Sequence, residues 1–98
     1  MRLTEQEPKF LHSVGDERLT HLDFRCPCSA ECAERICIPF TPALDGTETP
    51  AAWKPWQRSG GDTFELMTLA PSIAFPADQG PGCKGWHGFL RAGNLETC

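Results

Sequence analysis

Ninety-eight residues suffice for one domain and not for two, and so short a chain buries only a modest share of its apolar surface. A formal net charge of −4 with no block of Lys or Arg argues against nucleic acid, which needs a clustered positive face, and against a basic membrane-binding patch. No apolar run approaches the length that crosses a bilayer, and nine Gly with nine Pro disfavour long helices.

In chain order, the opening residues MRLTEQEPKF lack an apolar leader core and carry Glu5 and Glu7, so export is not expected. Residues 1–18 read as a segment loosely attached to a single domain spanning 1–98. Phe10 to Val14 predicts a short first strand, ended by Gly15-Asp16. Leu19 to Arg25 alternates, with Thr20, Leu22 and Phe24 on one face, and runs into Cys26-Pro27-Cys28-Ser29-Ala30-Glu31-Cys32. Arg35 to Phe40 predicts the returning arm, with Ile36, Ile38 and Phe40 sharing a face and Pro39 marking an edge or strand end.

Residues 41–62 are broken by Pro and Gly and read as a loop pinned to the body by Trp53 and Trp56. Thr63 to Leu69 predicts a central strand ended by Pro71-Ser72-Ile73. A second loop leads to Cys83. Trp86 to Leu90 and Leu95 to Cys98 predict a hairpin turning at Arg91-Ala92-Gly93-Asn94. The expected fold is mainly β: a small, zinc-stapled antiparallel domain with long Pro/Gly-rich loops.

In a reducing cytosol, six cysteines are more often metal ligands than disulfides. Zinc takes four thiolate or imidazole ligands, commonly as short-range pairs from distant parts of a chain. Cys26, Cys28 and Cys32 supply one set; Cys83 and His87, in a turn flexed by Gly82, Gly85 and Gly88, supply the other. Which four ligate stays open. Packed thiols and disulfides between distant cysteines are the competing readings. Cys37 reads as a packed thiol, Cys98 as a frayed end or a fifth ligand, and His12 and His21 as strand-surface residues. Trp86 fills the core or shields the metal. Trp53 and Trp56 cover the sheet, with anchoring of a partner as the alternative.

The chain resembles a family of small bacterial and phage proteins taken to bind zinc, some encoded near bacterial ubiquitin-like gene clusters. The resemblance rests on Phe24-Arg25-Cys26-Pro27-Cys28 with Cys32, a mid-chain Trp, Thr68-Leu69-Ala70-Pro71-Ser72-Ile73, and Cys83 through Trp86-His87-Gly88-Phe89-Leu90. Two departures stand out: Ser29-Ala30-Glu31 widens the first cluster, and Lys84-Gly85-Trp86 widens the final pair. The resemblance implies a zinc-bound fold and no established activity.

Neither His-Glu-x2-His nor the deaminase signature is present, and no Ser-His-Asp order stands out; Ser72 reads as a turn cap. The expected function is therefore a non-enzymatic module binding another protein, with no catalytic residue. A phage virion part and a zinc-dependent hydrolase are the alternatives. The expected location is the cytoplasm, that of the host for a phage-encoded protein, or the virion. Expected partners are another protein or further copies of the chain, and neither nucleic acid nor membrane.

Overall fold

The computed structural model describes Met1 to Cys98. Alternation of apolar and polar side chains sets its first strands. Leu22 and Phe24 in β2 (His21–Arg25) and Ile36, Ile38 and Phe40 in β3 (Arg35–Thr41) are all buried. Side chains on a strand project to opposite faces with period two, so the antiparallel register Leu22↔Ile38 and Phe24↔Ile36 brings all five to one face. β1 (Lys9–Leu11) pairs antiparallel with β2.

The remaining strands are β4 (Trp56–Ser59), β5 (Thr68–Phe75), β6 (Trp86–Arg91) and β7 (Asn94–Thr97). The seven lie in one sheet in sequence order. Every pairing is antiparallel except β3 with β4, whose intervening chain includes a 3₁₀ turn at Ala51–Trp53. The mainly β expectation holds, with one more strand than the sequence suggested, because β4 lies inside the stretch read as loop. No helix is long and apolar enough to cross a membrane.

The predicted central strand is displaced. Residues 63–67 form a turn, with the N–H groups of Leu66 and Met67 donating to the Thr63 carbonyl, and β5 begins at Thr68 and continues through Pro71. Proline has no N–H for a sheet ladder. Here it sits in a bulge, where Ala70, Pro71 and Ser72 face the single residue Phe89 between the pairs Leu69↔Leu90 and Ile73↔Gly88. Bulges supply the unpaired position that a strand proline needs. The last hairpin turns on Ala92 (φ 47°) and Gly93 (φ 76°), the two positive φ values of a tight hairpin loop.

The first ten residues make specific contacts with the sheet. Leu3 is fully buried, and its N–H donates to the Gly93 carbonyl, while the Leu95 N–H donates to the Met1 carbonyl. After the 3₁₀ turn Leu3–Gln6, the Gln6 amide donates to the Arg25 carbonyl at the end of β2. Phe10 then stacks on Phe64 at 4.3 Å and meets Phe40 edge-on. The N-terminal segment thus touches both edges of a curled sheet and covers open backbone that would otherwise invite pairing with other chains.

This tie has a measurable size. Leu3→Ala should cost about 2–4 kcal/mol in denaturant unfolding, the range for removing a buried leucine. Val14→Ala, at a fully exposed position, should stay within about 0.5 kcal/mol. Equal midpoints for the two variants would show that the N-terminal segment is not part of the cooperative unit.

Candidate functional site

Two groups of reactive side chains lie at the β5–β6 end of the molecule, joined by a few residues of chain. The first is built from the β2–β3 connection. Arg25 donates from Nη1 to the carbonyls of Ala30 (3.3 Å) and Cys32 (3.2 Å), and the Cys26 N–H donates to the Glu34 carbonyl at 2.8 Å. These bonds curl the loop so that its three cysteines point together. Cys83 joins them from the β5–β6 connection, where its own N–H donates to the Gly80 carbonyl at 3.1 Å.

The thiols of Cys26, Cys28, Cys32 and Cys83 all lie within 4.8 Å of one another, close enough to hold a metal ion. Cys26, Cys32 and Cys83 are buried and Cys28 is half-buried. Burial pushes the Cys26 thiol up to about 12. The Lys84 backbone N–H, 3.5 Å from Cys28 Sγ, leads the effects that hold that thiol down at about 7. A thiol favours its thiolate, the form that ligates metal, when such a donor faces it.

His87, grouped with these cysteines in the sequence reading, is placed elsewhere. It lies on the outer face of β6, and its Nε2 is 3.0 Å from Ser72 Oγ. The bulge accounts for the meeting. Ile73 points into the core, so Ser72 points out. Ala74 stands opposite His87 in the ladder, which makes Ser72 the diagonal neighbour of the imidazole. The indole Nε1 of Trp56 donates to the Ser72 carbonyl at 3.2 Å and fixes the bulge from the β4 side. The Cys98 N–H donates to the His87 carbonyl at 2.9 Å and fixes β6 from the other side.

A serine hydroxyl on an imidazole nitrogen is the arrangement for nucleophilic catalysis: with the ring proton on Nδ1, Nε2 accepts the hydroxyl proton as oxygen attacks. Reading Ser72 from the sequence as a turn cap did not foresee this meeting with His87. No local signature marks the pair, since the imidazole lies fifteen residues on and reaches Ser72 only through strand pairing. The one available signal was the resemblance, whose most specific segments, Pro71-Ser72-Ile73 and Trp86-His87-Gly88-Phe89, carry both groups.

The other singled-out residues have plainer places. Cys37 and Cys98 are exposed, outside the thiol cluster. His12 bonds the neighbouring Ser13 carbonyl. His21 bonds Thr20 and packs against Trp53 at 5.3 Å. Trp86 is buried edge-on against Phe24 and donates to Thr97 Oγ1 at 2.9 Å.

The thiol cluster sets an expectation for stability. Cys83→Ser should lower the melting temperature by at least about 10 °C, since losing one ligand of a structural metal site removes folding energy. Cys37→Ser and His87→Ala, both at exposed positions, should shift it by no more than a few degrees. Similar losses for all three would contradict a metal-competent cluster that excludes His87.

No curated protein and no solved structure matches the chain. The sequence model of one family does, over residues 2–98, and that family is described as the bacterial ubiquitination-like system serine protease (BubE). This corrects two expectations, that the protein is a non-enzymatic interaction module and that it has no enzyme activity. Both rested on reading the cysteines and His87 as a closed structural metal site and on finding no catalytic signature along the chain, where a serine and a histidine on neighbouring strands leave none. With a serine hydroxyl on a histidine at the surface of its sheet, the chain belongs to the BubE family of serine proteases.

Proposed function

We propose that this protein is a serine protease acting within a bacterial ubiquitination-like system, with Ser72 as nucleophile and His87 as general base and acid. The observation that carries the reading is the 3.0 Å approach of His87 Nε2 to Ser72 Oγ on an exposed sheet face, in a chain of a serine protease family. Ser72 Oγ attacks the scissile carbonyl carbon while its proton passes to His87 Nε2. The C–N bond then breaks, and the departing amine takes that proton from the imidazole. Water repeats the sequence on the acyl-serine, with His87 again accepting the proton. Within the chain, no carboxylate is hydrogen-bonded to His87, so the unit is a dyad. Its orientation comes from the strand ladder, Trp56 and the Cys98 N–H.

The four thiols fit zinc. A tetrahedral zinc thiolate site with bonds of about 2.3 Å has sulfur separations of about 3.8 Å, and the four sulfurs within 4.8 Å need only a slight contraction to reach it. Cys26, Cys28, Cys32 and Cys83 would fill all four positions, and the Lys84 N–H on Cys28 would be an outer hydrogen bond of the kind that orients a ligand. The ion would serve as a structural staple that leaves the chemistry to Ser72 and His87.

Two experiments test this. A fluorophosphonate probe should label wild-type protein at Ser72. Ser72→Ala should abolish the label, and His87→Ala should slow labelling and peptide hydrolysis by about a thousandfold or more, as loss of a catalytic base does. Labelling that persists in Ser72→Ala would overturn the assignment. Elemental analysis of protein purified without added metal should find about one zinc per chain, and a chelator strong enough to remove it should unfold the domain. Metal-free protein with an unchanged melting curve would rule zinc out.

A further inference from the structure

Beside His87 runs a shallow groove of about 460 Å³ between two stretches of chain, Ala74–Ala77 and Lys84–His87. Its position relative to Ser72 follows from the ladder. The pairs Ala74↔His87 and Phe75↔Trp86 carry the groove away from Ser72, past the imidazole and on to Ala77 and Lys84. Gly85 forms part of its wall at φ +77°, where a Cβ would stand 2.8 Å from the Ala77 nitrogen and 2.9 Å from the Phe75 oxygen; the two walls approach this closely only because that atom is missing.

In a Ser–His mechanism the proton taken from serine is delivered to the departing amine, so that amine must reach the same Nε2 that faces Ser72, and the leaving half of the substrate runs on from there past the imidazole. The groove lies there. Apart from His87, Lys84 is the only ionisable side chain lining it, and no carboxylate does. Lys84 stands three positions before His87, a span of at most about 10 Å of chain, matching about three residues of extended peptide.

We propose that this groove is the leaving-group subsite and that Lys84 makes it selective for a departing peptide with a carboxylate within its first three residues, as a free C-terminus or an acidic side chain. The proposal rests on the assignment of Ser72 and His87 above. Lys84 is a specificity residue: it touches the leaving segment and takes no part in proton transfer. Its backbone N–H on Cys28 anchors the lysine at a fixed distance from the imidazole.

Acyl transfer tests this without knowledge of the natural substrate. p-Nitrophenyl acetate acetylates Ser72 with release of nitrophenol. An added peptide amine then competes with water for the acetyl group: the new N–C bond forms, the Oγ–C bond breaks, and the amine proton passes through His87 to Ser72 Oγ. Peptides occupying the leaving-group subsite acquire the acetyl group fastest. Triglycine, Gly-Asp-Gly-amide and triglycinamide would be compared by the ratio of acetylated peptide to acetate, a ratio in which overall rate cancels.

One or both of the carboxylate peptides should exceed triglycinamide by about three- to fivefold, the size of an exposed ion pair, and which one does identifies the source of the carboxylate. The preference should shrink at 1 M salt and fall to about one in Lys84→Met. An unchanged preference in Lys84→Met, or no acetyl transfer to any peptide, overturns the subsite while the acetyl-serine still forms. Absence of the nitrophenol burst itself removes the Ser72 assignment, and the subsite with it.

Discussion

Cys83 stands four residues ahead of His87, at the end of a connection without regular structure between β5 and β6. Its thiol meets those of Cys26, Cys28 and Cys32, and this meeting fixes where β6 begins. A buried inner face specifies strand register, and contacts outside the ladder add to it where β5 is bulged directly opposite β6. The thiol cluster, the Lys84 N–H on Cys28 and the close approach of Gly85 to Phe75 and Ala77 reinforce the register from outside the sheet. A displacement of about 1 Å is enough to cost a catalytic serine–histidine pair most of its effect, so the distant cysteines bear on the proposed chemistry without touching it.

Ser72, the proposed nucleophile, is held on the other side by an equally local device. The bulge at Ala70–Ser72 leaves Ile73 in the core and turns Ser72 outward, and the Trp56 indole bonds the serine's own carbonyl. Ser72 and His87 both stand on strands, which hold geometry more tightly than loops do. β7 adds support from behind. Trp86, next to His87, is buried and bonded to Thr97, and Gly88 leaves no room for a side chain between Trp86 and the Glu96 carbonyl. The Ser72–His87 face and the core are thus two sides of the same strands, and packing beneath β6 bears directly on the imidazole above.

So small a sheet leaves edges that must be covered. Residues 1–6 bond β7 at one edge and reach the end of β2 near the other, and Arg58 donates to the carbonyls of Pro42, Ala43 and Gly61, satisfying loop backbone that no strand reaches. No buried side-chain polar atom lacks a partner, the condition under which a modest core still specifies one structure.

Much of this architecture could be read from the residues. Period-two alternation placed β2 and β3, Gly93 and Asn94 within Arg91–Asn94 placed the last hairpin, although the positive φ values fall on Ala92 and Gly93, and the Cys26–Cys32 run with Cys83 named the thiols that converge, because these are local patterns whose physics acts within a few residues. The strand at Thr68–Phe75 was misplaced because Pro71 reads as an ending wherever a bulge is not foreseen. β4 was missed because Trp56–Ser59 is stabilised by its neighbours rather than by its own pattern. His87 was assigned to the metal for its nearness in sequence to Cys83, yet four residues along a chain that turns at Gly85 and enters a strand carry its side chain to the outer face. The pairing of Ser72 with His87 belongs to tertiary structure alone: it depends on register, bulge and facing, which no single segment encodes.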